Sequence, residues 1–181
     1  AAAATAAAVA GAATAIGALT TKAIEGYAAQ EQLVGGVETL FKTSSDTVVG
    51  YANDAYKTAG MSANEYMETV TSFSASLLAS MNNDTAAAAE KANVAITDMS
   101  DNANKMGTDI SLIQNAYNGF AKQNYTMLDN LKLGYGGTQE EMQRLLDDAS
   151  KLSGIKYDIS SYSDVVDAIH VVQTEMGITG T

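Results

Sequence analysis

His170 is the only histidine in the chain and the first residue to test for acid–base or metal chemistry. A general base needs a substrate proton or nucleophile within reach, and a metal ligand needs companions at regular spacing. No such partner stands at a suitable spacing. Val166 and Gln173 share its side of a helical pattern, so His170 reads as a helix-face residue. Two carboxylate pairs follow the same logic. Glu140–Glu141 falls in the first turn of a helix, where acids favour the macrodipole. Neither it nor Asp147–Asp148 converges on one substrate, because adjacent helical positions point apart. Gly134-Tyr135-Gly136-Gly137 precedes a helix, as phosphate-binding loops do. It lacks the Gly-Lys-Ser/Thr ending and a buried strand before it, and reads as a turn needing glycine. Asp98 to Asn104 carries oxygen ligands without calcium-loop spacing and lies inside a helical pattern. Asn83-Asp84-Thr85 and Asn124-Tyr125-Thr126 match the glycosylation sequon, which matters only in a eukaryotic secretory setting. The expectation is a protein with no catalytic, cofactor or metal site.

Composition points to helices. There are 181 residues, 46% of them apolar, with no proline and no cysteine. A loop-rich or all-β chain of this length would contain several prolines. Disulfides and cysteine-based metal sites are excluded. With no tryptophan and 7% aromatics, the core must be built from Ala, Leu, Ile, Val and Met. The net charge is −11, and no two of the ten basic residues are adjacent. A phosphate-tracking surface needs clustered cations, so nucleic-acid specificity is not expected.

The spacing predicts a series of short amphipathic helices. Leu33, Val37, Leu40 and Phe41 form one stripe, weakened by Gly35-Gly36. Ser44-Ser45-Asp46 offers a turn and cap. Val48, Val49, Ala52, Ala55, Tyr56 and Ala59 form the next stripe, stopped at Gly60. Ser62-Ala-Asn-Glu65 is a capping box that opens a helix faced by Tyr66, Val70, Phe73, Leu77 and Met81. Its other side, Glu68, Thr69, Ser72, Ser76 and Ser80, is expected to be wet. Asp84 caps a helix that ends at Gly107, and another, with Ile110, Ile113, Tyr117 and Phe120, follows Thr108. Thr138-Gln-Glu-Glu141 is a second capping box. Met142, Leu145, Leu146, Ala149 and Leu152 face inward up to Gly154. Ser161 starts a last helix, with Val165, Ile169, Val172 and Met176, closed by Gly177. The fold class expected is all-α, a compact bundle of seven or eight short amphipathic helices.

Between the helices near Gly119 and Leu146 runs an irregular segment bearing Tyr125, Met127, Leu128, Leu131, Leu133 and Tyr135. A solvated loop has no use for that much apolar surface. These six residues are therefore candidates for a packing or interface site folded onto the core. A small-ligand module using Tyr125 and Tyr135 is a rival reading, weakened by the lack of a convergent polar set.

Three long runs carry a family resemblance: Ala55 to Leu78, Ala95 to Met142, and Ala168 to Gly180. They resemble the tail tape measure proteins of long-tailed bacteriophages, as found in siphophages and prophages of Gram-positive bacteria. The resemblance covers the chain from about Tyr27 onward. It implies a virion structural protein lying in the tail lumen, and in the host cytoplasm during assembly. Such a protein sets tail length and assists genome delivery. The partners implied are tail tube and tail assembly proteins, and tail chaperones. Some members of the family carry peptidoglycan hydrolase modules. Their motifs do not occur here, so no catalytic residue is carried over.

A ruler role has a geometric basis, since a helix rises about 1.5 Å per residue and the whole chain would span roughly 270 Å. The glycine stops and caps break that rod, and the expectation is a compact module at 30–181 of a longer protein. The chain starts with Ala and not Met and ends abruptly after Gly177, and is expected to be an internal fragment. Positions 1–29 are expected to form an Ala-rich helical arm. The first 21 residues carry no charge and are about long enough to cross a bilayer. The alternative function is therefore a membrane-active helical protein inserting through 1–21. Against it, Ala contributes little to insertion, and Val9, Ile16, Leu19 and Ala23 read as a packing stripe. Self-association is left open.

Overall fold

A computed structural model describes residues 28–180. The expected arm at 1–29, the membrane segment at 1–21 and the terminal Thr181 lie outside the described residues, apart from positions 28 and 29. Among the described residues the protein is all-α, with no strand. Helix α1 occupies 28–41. Then come α2 (Ser45–Thr58), α3 (Ala63–Ser80), α4 (Thr85–Met106), α5 (Ile110–Phe120), α6 (Gln139–Ser153) and α7 (Tyr162–Glu175). Short 3-10 turns occupy Lys42–Ser44 and Leu128–Leu131.

Local chemistry starts and stops these helices. The Ser62 hydroxyl accepts from the Glu65 amide at 3.2 Å. Asp84 accepts from the amides of Ala86 and Ala87, both at 3.1 Å. Thr138 accepts from Glu141, and Ser161 from Asp164. Gly107, Gly154 and Gly177 end α4, α6 and α7 at positive φ, where a side chain would be strained. The start of α5 belongs to Asp109, which accepts from the Ser111 amide at 2.9 Å; Thr108, expected there, lies one residue too early.

The α1–α2 junction departs from the expected turn and cap. Helix α1 runs unbroken through Gly35-Gly36, and Lys42 at φ +50° kinks the chain into the 3-10 turn. Ser44 caps nothing; it is buried and its hydroxyl pairs with that of Thr85 at 3.0 Å.

Helix α4 is the axis of the bundle. It touches α2, α3, α5 and α7. Ala88, Ala92, Ala95, Ile96 and Met99 are sealed along it. Small side chains let the neighbouring helices come close, and longer ones from α3 (Tyr66, Met67, Phe73, Leu77) fill the space between. Each large apolar side chain so buried contributes about 1.5–3 kcal/mol.

Three residues expected to face inward do not. Tyr56 is 65% exposed and Leu152 49%. Both sit roughly 70° from the centre of their buried stripes at about 100° per residue, so they reach the rim instead of the core. Met176 is 46% exposed because α7 has already ended; the chain turns at Gly177 and Ile178 enters the core in its place. Conversely Thr69, expected on the wet side of α3, is buried under Gln114 of α5, which donates to it at 3.1 Å.

Two substitutions test this account by chemical denaturation. Gly50 lies mid-helix in α2 with nothing within 4 Å of an added Cβ, so Gly50→Ala stabilises by about 0.5–1 kcal/mol. Asp84→Ala removes two amide acceptors at the start of α4 and costs about 1 kcal/mol.

Candidate functional site

The crossover 121–138 turns inward. Leu128 and Leu131 are fully buried, Tyr125 and Leu133 nearly so, and Met127 and Tyr135 half-buried against the same core. Tyr125 extends a row of rings from Tyr117 through Phe120, with centroids 5.8 and 6.1 Å apart, and its hydroxyl donates to the Ile159 carbonyl at 2.9 Å. The Tyr135 hydroxyl donates to Asp148 at 3.1 Å, while the Arg144 guanidinium lies 4.5 Å above its ring. The two tyrosine hydroxyls are thus spent on separate structural bonds. They do not converge on a ligand.

The glycine run is a strap. Arg144 donates to the Gly134 carbonyl at 2.9 Å, and the Gly136 amide donates to Glu141 at 3.0 Å. The anion at this helix start is the protein's own Glu141, which also pairs with Arg144. Gly137 lies so tightly on the strand of chain at 126 that an added Cβ would stand 2.2 Å from the Thr126 carbonyl oxygen. The carboxylates of α6 disperse accordingly: Glu141 to Arg144, Asp147 to Gln143, Asp148 to Lys151 and Tyr135.

A second constellation lies between α4 and α7. The Asp98 carboxylate meets His170 Nδ1 at 2.8 Å with its side chain only 3% exposed. Lys91 pairs with Asp167 on the same interface. Asn102, fully buried, donates to the Leu131 carbonyl at 3.0 Å and to Gln173 Oε1 at 2.7 Å. The Gly180 amide donates to Asp101 at 2.7 Å. Gln173 lies beside the Tyr117 hydroxyl, yet neither its Nε2 nor that hydroxyl finds a well-formed hydrogen bond, and Asn102 Oδ1 also lacks one.

Sequence reasoning placed His170 on a helix face without a partner; its partner is 72 residues upstream. The oxygen-rich run at 98–104 is indeed helical, but Asp98, Ser100, Asp101 and Asn102 are buried, not a solvated face. A signal was available. Lys91, Ala95, Asp98 and Asn102 fall at i, i+4, i+7 and i+11, one line along α4, and Val166, His170 and Gln173 form the matching line on α7.

The chemistry of this seam is protonic. Burial pushes the Asp98 carboxyl up; the hydrogen bond and charge of His170 oppose it, and Asp101 adds to the rise. The hydrogen bond to Asp98 raises His170 most. Partial burial lowers it, Asp98 and Asp167 raise it, and Lys91 lowers it. Among the described residues, no group of three or more His, Cys, Asp or Glu is placed to hold a metal ion. No described helix is long and apolar enough to cross a membrane.

Two predictions follow from this geometry. Gly137→Ala, which must displace backbone at Thr126, lowers stability by about 1–3 kcal/mol in denaturant titrations. The second concerns pH. Both Asp98 and His170 have folded values above their unfolded ones, so the folded chain holds more protons. The His170 contribution is complete below its usual 6.5 and is lost as pH rises through its higher folded value. Asp98 has the same sign and begins its loss near 3.8. Hydrogen bonds hold Asp109, Glu141, Asp148 and Asp158 below the usual carboxylate range, so they act only at the acid end. Melting temperature therefore falls as pH rises above about 6. His170→Gln flattens that decline; an unchanged slope in the variant would refute the assignment.

Compared with known protein families, curated proteins and solved structures, the chain gives no significant match.

Proposed function

We propose that the chain is a structural, non-catalytic module of a phage tail tape measure protein. In this reading it takes part in setting tail length during assembly and in genome delivery. It resides in the tail lumen of the virion, and in the host cytoplasm while tails are built. Its partners are tail tube and tail assembly proteins, with tail chaperones.

The observation that carries the reading is the coincidence of the three resembling runs with the parts of the chain that hold one another. Positions 55–78 supply the end of α2 and nearly all of α3. Positions 95–142 supply half of α4, then α5, the crossover and the start of α6. Positions 168–180 supply the second half of α7 and the turn after it. Direct bonds join them: Ser100 donates to the Ala59 carbonyl at 2.9 Å, and Asn102 donates to Gln173. The buried polar groups are used to tie helices together, as a structural role requires.

The dimensions favour a module over a rod. A globular domain of about 150 residues has a radius of gyration of about 15 Å. The same residues as one straight helix would span about 230 Å.

Deleting 30–181 in frame from the parent gene and measuring tails by electron microscopy separates the cases. A measuring rod shortens tails by about 230 Å. The compact module shortens them by far less. Detection of the chain in purified tails by mass spectrometry is the companion measurement, and its absence from tails would sink the tail-protein reading.

A further inference from the structure

The α4–α7 seam divides the bundle unevenly. Among the helices, α6 packs chiefly on α7, and α7 in turn packs on α3 and α4. Beside the buried valines and Ile169 of α7, four polar ties join α7 and its flanks to α4: Lys91 to Asp167, Asp98 to His170, Asn102 to Gln173 and Asp101 to the Gly180 amide. The other ties combine ring packing, with Phe73 and Tyr162 centroids 6.1 Å apart, and further hydrogen bonds. The Tyr162 hydroxyl donates to the Tyr117 carbonyl at 3.2 Å, the Ser163 amide to Ser80 at 3.1 Å, and Tyr125 to the Ile159 carbonyl. Water can replace each of these bonds when the surfaces part. Three buried atoms at the seam (Asn102 Oδ1, Gln173 Nε2 and the Tyr117 hydroxyl) lack a well-formed bond in the closed fold and gain one from water on opening. By contrast, α3 and α4 share a side-chain hydrogen bond, from the Tyr66 hydroxyl to Asn93 at 2.9 Å, and bury Met67, Leu77, Ile96 and Met99, whose exposure water does not compensate.

We infer that α6 and α7 form a unit that swings away from α4 before the rest of the bundle unfolds, with the seam of buried polar residues as its parting line. Opening still exposes Val165, Val166, Ile169 and Val172, so the open form is a minor state. The hinge is the crossover, where Lys132 and Gly134 already hold positive φ. This inference rests on the fold alone and stands or falls apart from the tail-protein reading.

Native-state hydrogen exchange of the 181-residue chain, followed by mass spectrometry, tests it. The interior amides of α6 and α7 are expected to exchange together, about tenfold or more faster than those of α3 and α4. Exchange of all four helices at one common protection overturns the inference, as does independent exchange of α6 and α7. A second arm tests the cause. Asn102→Leu combined with Gln173→Leu replaces the central polar pair and brings the α6–α7 protection toward that of α3. Should that variant fail to fold, Tyr117→Phe removes one unbonded hydroxyl and slows opening in the same direction. Early opening left unchanged in the folded variants overturns the role of the seam.

Discussion

Helix α4 is packed by four neighbours and keeps only a narrow wet edge, through Ala86, Glu90 and Val94. Every polar residue it carries at a contact must find a partner inside the protein or cost its full desolvation. That constraint shapes the rest. It sets Ser100 on the Ala59 carbonyl, Asn102 between the crossover and α7, Asp98 on His170 and Asp101 on the amide that follows α7. The apolar stripe of α4 decides that the bundle forms. Its polar line decides which helices sit where, because a shift of α7 by one turn would leave several buried groups without partners.

The crossover between α5 and α6 obeys the complementary rule. It is irregular backbone laid on a core, so its carbonyls and amides need partners that no helix supplies. Asn102 takes the Leu131 carbonyl, Arg144 the Gly134 carbonyl and Glu141 the Gly136 amide. The glycines have distinct tasks: Gly134 supplies a left-handed backbone, whereas Gly137 supplies closeness to Thr126. A segment that resembles a ligand loop in one dimension is thereby a structural clasp in three.

What the amino-acid sequence disclosed was what is local. The caps at Ser62, Asp84, Thr138 and Ser161 and the stops at Gly107, Gly154 and Gly177 act over three to five residues and could be read directly. Core faces were legible at the centres of the stripes and failed at the margins, where Tyr56 and Leu152 lie, because periodicity gives a direction and not the width of the contact. The His170–Asp98 pair was hidden for a different reason. Its members are 72 residues apart, and no pattern within one helix specifies which other helix will lie against it. Lys91, Asp98 and Asn102 on α4, and His170 and Gln173 on α7, are polar residues at core spacing, a pattern that signals a partnered helix before the partner is known.

The capped ends have one more consequence. Helices α3 to α7 each carry a capping side chain at their start, and the chain contains neither proline nor cysteine. A polypeptide drawn out straight and then let go therefore has no slow isomerisation about proline and no covalent bridge to re-form; its turns of helix can return on the microsecond scale. Neither a covalent bridge nor a proline isomer stands between the extended chain and the helices it forms again.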